Sequence, residues 1–173
     1  FWCIMSDSPE LFYVDWSWDV RSQENGFVIL PRYLFEPAEK DARIDEFNAA
    51  VDGVIALAQQ SDLQGDFDKV LFVHDYLIQN CRYNESGDGQ IHTAYGALVS
   101  GEAVCDGYAH AAQLLLDRLG VDCCYVEGTT TPSTSDEGHA WNIVTVDGES
   151  YHLDVTWDDR DAEHVDDSYD NIV

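Results

Sequence analysis

The sequence predicts an α+β domain in which helices pack on an antiparallel sheet. After residue 40, helical periodicity comes first, over residues 41–60, 66–80 and 105–119, and a run of strand-like segments follows. Asp147-Gly148, between two apolar runs, is typical of a two-residue hairpin, because a type I′ turn needs positive φ at both positions. With 173 residues, of which 45% are hydrophobic, the chain is long enough for one domain with a substantial core.

Residues 1–60 are predicted to form an N-terminal extension that packs on a core of residues 61–173. Two strand-like runs within residues 9–35 indicate a β-hairpin, and apolar residues at helical spacing over 41–60 indicate a helix. The core is expected to end in an acidic tail, residues 158–173, which has little periodicity.

Capping and turn residues divide the core into its elements. Asp66 is expected to cap helix 66–80, and Gly120 to end helix 105–119. A Thr/Ser/Pro-rich loop at 129–137 interrupts the strands, and we expect it to border a cleft and influence specificity. The other predicted elements are a short helix over 93–99 and strands over 121–128, 139–146 and 149–156.

Cys105 is a candidate nucleophile at the start of helix 105–119. It lies on the side of the helix that carries Ala109 and Ala112, which is predicted to face the sheet. Unpaired backbone N–H groups and the positive end of the helix dipole favour a thiolate there, and the same N–H groups can stabilise an oxyanion. The alternative is a buried structural cysteine, which is the commoner fate of a single cysteine.

The predicted hairpin brings a histidine and an aspartate together. If the Asp147-Gly148 turn sets the register, His139 faces Thr156, and Asp154 is its diagonal neighbour on the same face. Diagonal neighbours lie roughly 7–8 Å apart at the backbone, which an imidazole and a carboxylate can bridge. On a sheet expected to be buried on both sides, an unpaired carboxylate is costly, so we expect a His139–Asp154 pair. The alternative for His139 is a hydrogen-bonded core histidine.

Four aromatic residues are further candidates for the site. Tyr95 and Tyr108 flank Cys105 in the sequence and could donate to an oxyanion or line a cleft. Trp141 falls on the same strand face as the candidate histidine, where it could shield the site, and Trp157 is expected at the same cleft.

The remaining histidines and cysteines form no recognisable metal site. No Cys-x-x-Cys or EF-hand spacing occurs, so no metal or other cofactor is predicted. His74-Asp75 is interpreted as a structural hydrogen-bonding pair and His152 as structural. The other three histidines are expected to be exposed or incidental: His92, His110 and His164.

The net charge of the chain limits the classes of partner that are expected to bind it. Eight basic residues against 34 acidic ones give a net charge of −26, which disfavours nucleic acids and anionic membranes. Lysine-rich or other cationic partners would be attracted, although such a charge is more often a means of keeping a protein in solution. No apolar run approaches the roughly 20 residues that span a bilayer, so membrane insertion is not expected. The oligomeric state cannot be read from the sequence.

Five segments of the chain resemble bacterial transglutaminase-like domains. They recur in the same order and with suitable spacing over roughly residues 66–159. The segments are KVLFVHDYL (69–77), AYGAL (94–98), AVCDGYA (103–109), GHAWN (138–142) and DVTWD (154–158).

The resemblance implies a papain-like α+β core with a Cys–His–Asp triad, whose matching positions are Cys105, His139 and Asp154. It implies thiol-dependent acyl transfer or hydrolysis on a peptide or protein amide, through a thioester, with an amine or water as acceptor. Calcium sites of animal transglutaminases are not recognisable here, and neither is their upstream oxyanion tryptophan. The family and the acidic composition together suggest a secreted or cell-envelope protein. The alternative is a catalytically silent binding module at the cell surface.

Overall fold

The structure, a computed structural model, describes residues 2–129 and 138–159, and these ranges form a mixed helix-and-sheet fold. The predicted α+β class is confirmed. The α-helices are α1 (Trp2–Ser6), α2 (Pro37–Gln60), α3 (Asp66–Asn80), α4 (Cys105–Arg118) and α5 (Val155–Asp158). Short 3₁₀ helices at Pro9–Leu11 and Gly89–His92 and a π-helical turn at Gly96–Ser100, in the region of the predicted short helix over 93–99, complete the helical segments of the described residues. The strands are β1 (Val14–Gln23), β2 (Gly26–Tyr33), β3 (Arg82–Tyr83), β4 (Glu102–Ala103), β5 (Cys123–Thr129), β6 (Gly138–Val146) and β7 (Glu149–Leu153).

Helix α4 lies at the centre of the fold. Every residue from Gly107 to Leu116 is buried, because α4 packs against α2 and α3 as well as against β5 and β6. The helix is therefore enclosed on all sides, whereas its periodicity predicts one buried face. Gly107 is needed for this packing, since an added Cβ would lie 2.5 Å from the backbone oxygen of Ile91.

The antiparallel sheet β5-β6-β7 is covered by α4 on one face. Burial alternates along β6: Ala140, Asn142 and Val144 are buried, and the residues between them are half-buried. The amide of Asn142 ties the covered face to the helix, because its Nδ2 donates to the backbone oxygen of Ala109 over 3.0 Å. The expectation that the sheet is buried on both sides is therefore wrong, since most of β7 is exposed.

The N-terminal segment contains the predicted hairpin and helix. Strands β1 and β2 pair antiparallel, and α2 begins at Pro37, earlier than its apolar stripe predicts, because proline is favoured in the first turn of a helix. Phe12, Phe47 and Val51 belong to the same hydrophobic cluster as α3 and α4. The boundary at residue 60 stays a prediction.

Helix α3 has the predicted bounds but a different N-terminus. Gly65, with φ of 90°, is the capping residue, and no side chain caps the helix. Asp66 is the first helical residue, and its carboxylate accepts a hydrogen bond from Lys69 instead, at 2.9 Å. None of the helices in residues 2–129 and 138–159 is long and apolar enough to cross a membrane.

Candidate active site

Cys105 is the first residue of α4. The preceding residue, Val104, has extended backbone angles and takes the capping position, but a valine side chain cannot accept hydrogen bonds from the first N–H groups of the helix. These N–H groups therefore have no side-chain cap to compete with a bound oxyanion. The chain is fixed here because Val104 donates its N–H to the backbone oxygen of Ile91, at 3.0 Å.

His139 is held by the hairpin of β6 and β7. Asp147 (φ 53°) and Gly148 (φ 83°) both have positive φ, as the predicted turn requires. The register that follows is the predicted one, with Val146 opposite Glu149 and the pairing continuing to Asn142. His139 lies on the half-buried face of β6, and 10% of its side chain is exposed.

Asp154 contacts His139 from a position that the sequence analysis did not predict. Strand β7 ends at Leu153, and Asp154 caps α5, its Oδ1 accepting from the N–H of Trp157 at 3.2 Å. The other oxygen, Oδ2, lies 2.7 Å from Nε2 of His139. The predicted strand over 149–156 is therefore too long, and the prediction that His139 faces Thr156 is wrong, because Thr156 lies in α5. The neighbouring β-branched residues favour a strand, but Asp154 caps a helix instead, and the chain therefore leaves the sheet at this point.

The surroundings of His139 favour the imidazolium. Burial opposes the charge, but the hydrogen bonds to Asp154 and Cys105, together with the charges of those two groups, outweigh it and raise the pKa of His139 to about 9. Because Nε2 faces the carboxylate, Nδ1 is the ring nitrogen that remains for the thiol. The structure thus brings Cys105, His139 and Asp154 together: His139 and Asp154 share a hydrogen bond, and the thiol of Cys105 is close enough to the imidazole to affect its pKa.

Two tryptophans stack on the imidazole. The ring of Trp157 lies 4.9 Å from that of His139 with an interplanar angle of 14°, and Trp141 lies 5.8 Å away at 19°. Trp141 is fixed in turn, since its Nε1 donates to Nδ1 of His152 over 2.8 Å. Both tryptophans are in contact with the candidate histidine, and they limit the access of water to it.

A cleft of about 720 Å³ opens beside the thiol, and both Cys105 and His139 line it. Strand β3 pairs in parallel with β4, just before α4, which brings Tyr83 to this cleft. Burial and the neighbouring thiol of Cys105 raise the pKa of Tyr83. Sequence reasoning missed Tyr83, because a two-residue parallel pairing leaves no periodic signal.

One wall of the cleft carries a second His–Asp pair. Nδ1 of His92 lies 2.7 Å from Oδ2 of Asp106, the residue after Cys105. The hydroxyl of Tyr125 donates to Asp106 at 3.1 Å or to Glu127 at 2.8 Å. His92, expected to be incidental, is thus a residue of the cleft wall.

Three residues lie elsewhere than expected. Tyr95 and Tyr108 are both buried, at 1% exposure, and do not line the cleft. The hydroxyl of Tyr95 donates to Glu46 over 2.5 Å, and that of Tyr108 donates to Asp159 over 2.5 Å. Although both tyrosines are near Cys105 in the sequence, their side chains pack inside the fold and not along the cleft, because α4 and the segment before it are enclosed by other elements. His110, expected to be exposed or incidental, is buried and stacks on Tyr125, and burial lowers its pKa to about 4.

Other expectations fall outside the described residues. The proposed specificity loop, apart from Thr129 at the end of β5, and most of the acidic tail, including His164, lie in residues 130–137 and 160–173. Among the residues that the structure describes, no group of three or more His, Cys, Asp or Glu side chains could hold a metal ion.

Comparisons with known proteins give a matching family and similar solved structures. The family model of the transglutaminase-like superfamily matches residues 55–155. A comparison with curated proteins gives no match. Similar solved structures include a proposed cysteine protease from Cytophaga hutchinsonii, with 18% identity over 80% of this chain and 61% of that one, and a TM-score of 0.51.

Two further solved structures are similar at lower scores. One is a TGase, with 16% identity over 81% of this chain and 44% of that one, and a TM-score of 0.49. The other is a proposed protease from Parabacteroides distasonis, with 15% identity over 81% of this chain and 35% of that one, and a TM-score of 0.46. This chain thus spans less than two thirds of each of the three structures, and the likeness to the Cytophaga hutchinsonii structure supports a shared fold.

Proposed function

The chain belongs to the transglutaminase-like superfamily, and from that membership and the geometry of the cleft we propose that it is a thiol-dependent enzyme. Its proposed reaction is acyl transfer or hydrolysis on peptide or protein amides, at a glutamine side chain or a peptide bond. The observation that carries the proposal is the hydrogen-bonded His139–Asp154 pair next to Cys105, with Cys105 and His139 both lining an open cleft.

In the proposed first half-reaction, the thiolate of Cys105 attacks the amide carbon. The carbonyl oxygen becomes an oxyanion, for which the first N–H groups of α4 are available donors. The carbon–nitrogen bond then breaks, and the imidazolium of His139 gives its proton to the departing nitrogen. Ammonia leaves from a glutamine side chain, or an amine from a peptide bond, and a thioester remains on Cys105.

In the second half-reaction, His139 takes a proton from the acceptor as it attacks the thioester. Water as acceptor gives a carboxylic acid, and a primary amine gives a new amide; either one regenerates the thiolate–imidazolium pair. Asp154 holds the ring in place and stabilises its positive charge throughout, without itself taking the proton.

The substrate class we propose is a peptide or protein with a cationic group near the reacting amide, such as a lysine side chain or an amine acceptor. Glu85, Asp106 and Glu127 line the cleft beside Cys105, and the whole chain carries a net charge of −26. Both features favour a positive partner. The same acidic composition and the family support our proposal that the protein works outside the cell or in the cell envelope.

The test is turnover of glutamine peptides. The protein is incubated with a glutamine-containing peptide, with and without a primary amine, and the products are identified by mass spectrometry together with released ammonia. Amide formation, conversion of glutamine to glutamate, and chain cleavage then report transfer, deamidation and proteolysis separately.

Cys105→Ala is expected to abolish every product, whereas Cys124→Ala, which removes an exposed cysteine outside the cleft lining, is the matched control. Absence of any product, combined with alkylation of Cys105 no faster than that of Cys124, would refute the enzyme and favour the silent binding module.

A further inference from the structure

The carboxylate of Asp154 depends on a very short helix. Helix α5 has four residues, and Asp154 caps it, so the direction of the carboxylate follows the placement of α5. A helix of this length does not hold itself in place. Its position must therefore come from contacts with the rest of the protein.

His74 of α3 makes one of these contacts from outside the cleft lining. Its Nε2 lies 3.1 Å from Oδ2 of Asp158, the last residue of α5, and its Nδ1 lies 2.9 Å from Oδ1 of Asp75. The hydrogen bond to Asp158 is the largest effect on His74, and with the carboxylate of Asp75 it raises the pKa of the imidazole against the effect of burial. Within residues 2–129 and 138–159, the charged groups that affect His74 are these two carboxylates.

A second contact fixes the residue after the helix. Asp159 is buried, and its Oδ2 accepts a hydrogen bond from the hydroxyl of Tyr108 in α4. Helix α5 is thus held at its C-terminal end by α3 and α4, while its N-terminal end holds the imidazole of His139 through Asp154.

We propose that His74 is a positioning residue for the proposed active site: by binding Asp158 it holds α5 so that Asp154 stays on His139. The inference deepens the proposed function and rests on it. His74 does not line the cleft; it acts through α5. Loss of the His74–Asp158 contact lets α5 move, weakens the hydrogen bond at Nε2 of His139, and lowers the pKa of that imidazole.

The experiment measures the pKa of His139 by NMR and the pH dependence of iodoacetamide alkylation at Cys105, in the full chain. His74→Gln and Asp158→Asn are the test variants. Asp75→Asn is the matched control, because it removes the other carboxylate on His74 without touching α5. Urea unfolding reports the stability of each variant separately.

Both test variants are expected to lower the pKa of His139 by about one unit, from about 9 to about 8, and to shift the alkaline end of the pH dependence of Cys105 alkylation by the same amount. The double variant should do no more than either one, since the two residues act as a unit. Asp75→Asn should leave the His139 pKa near its wild-type value. If His74→Gln does not fold, Asp158→Asn carries the test alone, because the Asp158 side chain is 59% exposed.

Two results would overturn the inference. In the first, the wild-type His139 pKa is raised but unchanged in the test variants, even if their stability falls; His74 is then merely structural, and the proposed function stands. In the second, wild-type His139 titrates at its ordinary value and Cys105 has ordinary reactivity; the thiolate–imidazolium pair then fails, and the positioning role fails with it.

Discussion

Asp154→Asn separates two roles of one side chain. The carboxylate both pairs with His139 and caps α5 through the N–H of Trp157. Asparagine is as good a capping residue as aspartate, so the helix is expected to survive the change. What the variant removes is the negative charge next to the imidazole, and with it the main reason for the raised pKa of His139.

The size of the effect follows from the two pKa values. The pKa of His139 is raised from 6.5 to about 9 by Asp154 and Cys105 against the effect of burial, so the variant should lower it and leave Cys105 as the remaining group that raises it. A complete return to 6.5 sets the upper limit: at about pH 7.5 the imidazolium fraction would fall from roughly 97% to about 9%, a loss of about tenfold. Alkylation of Cys105 that depends on the thiolate–imidazolium pair should fall by a similar factor.

The assay is iodoacetamide alkylation against pH, read at each cysteine by peptide mass spectrometry. Cys3 and Cys124 are exposed and act as internal references within the same molecule, while burial raises the pKa of the thiols of Cys81 and Cys123, which should react slowly. The reasoning is refuted if Cys105 reacts equally fast in wild type and Asp154→Asn at about pH 7.5.

Two further outcomes are expected. An added Cβ at Gly128 would lie 2.6 Å from the ring of Trp141, so Gly128→Ala should displace that ring, cost about 1–3 kcal/mol in urea unfolding and change the near-UV circular dichroism. Gly138→Ala, where a Cβ meets no described atom within 4 Å, is the control, and equal losses in both would contradict the packing argument. Because the folded pKa of His139 lies above 6.5, its stabilisation should be complete below about pH 6.5 and lost as pH rises through about 9, a difference of up to about 3 kcal/mol. Unfolding free energies of wild type and His139→Gln at both ends of that range check this, and a constant difference would exclude the linkage.

The sequence was sufficient for the parts of the site that depend on local geometry. Asp147-Gly148 predicted a turn with two positive φ values, and that turn alone fixed which residues of β6 and β7 face each other. The start of α4 at Cys105 was equally predictable from the sequence, because helical periodicity begins there and Gly120 follows the end of the helix. Both signals need only neighbouring residues.

Features that depend on distant parts of the chain were not predictable. The end of β7 at Leu153 reflects contacts of α5 with α3 and α4, which compete with the strand preference of Val155 and Thr156. The direction of Tyr95 is set by the aromatic rings of Phe12, Phe35 and Phe47 around it. The pairing between β3 and β4 brings Tyr83 to the cleft. It joins residues about twenty positions apart and leaves no recognisable sequence pattern in either strand.

Because burial alternates along β6, evolutionary selection acts differently on the residues of its two faces. On one face, His139 and Trp141 belong to the candidate active site. On the other face, the sheet is held to α4 by Ala140, Asn142 and Val144. A lineage could therefore change its reactivity by substitutions at every second position while the covered face keeps the sheet attached to α4. The same strand could lose its reactivity entirely and still be inherited as a stable scaffold, which is one way in which a single fold comes to carry both enzymes and inert relatives.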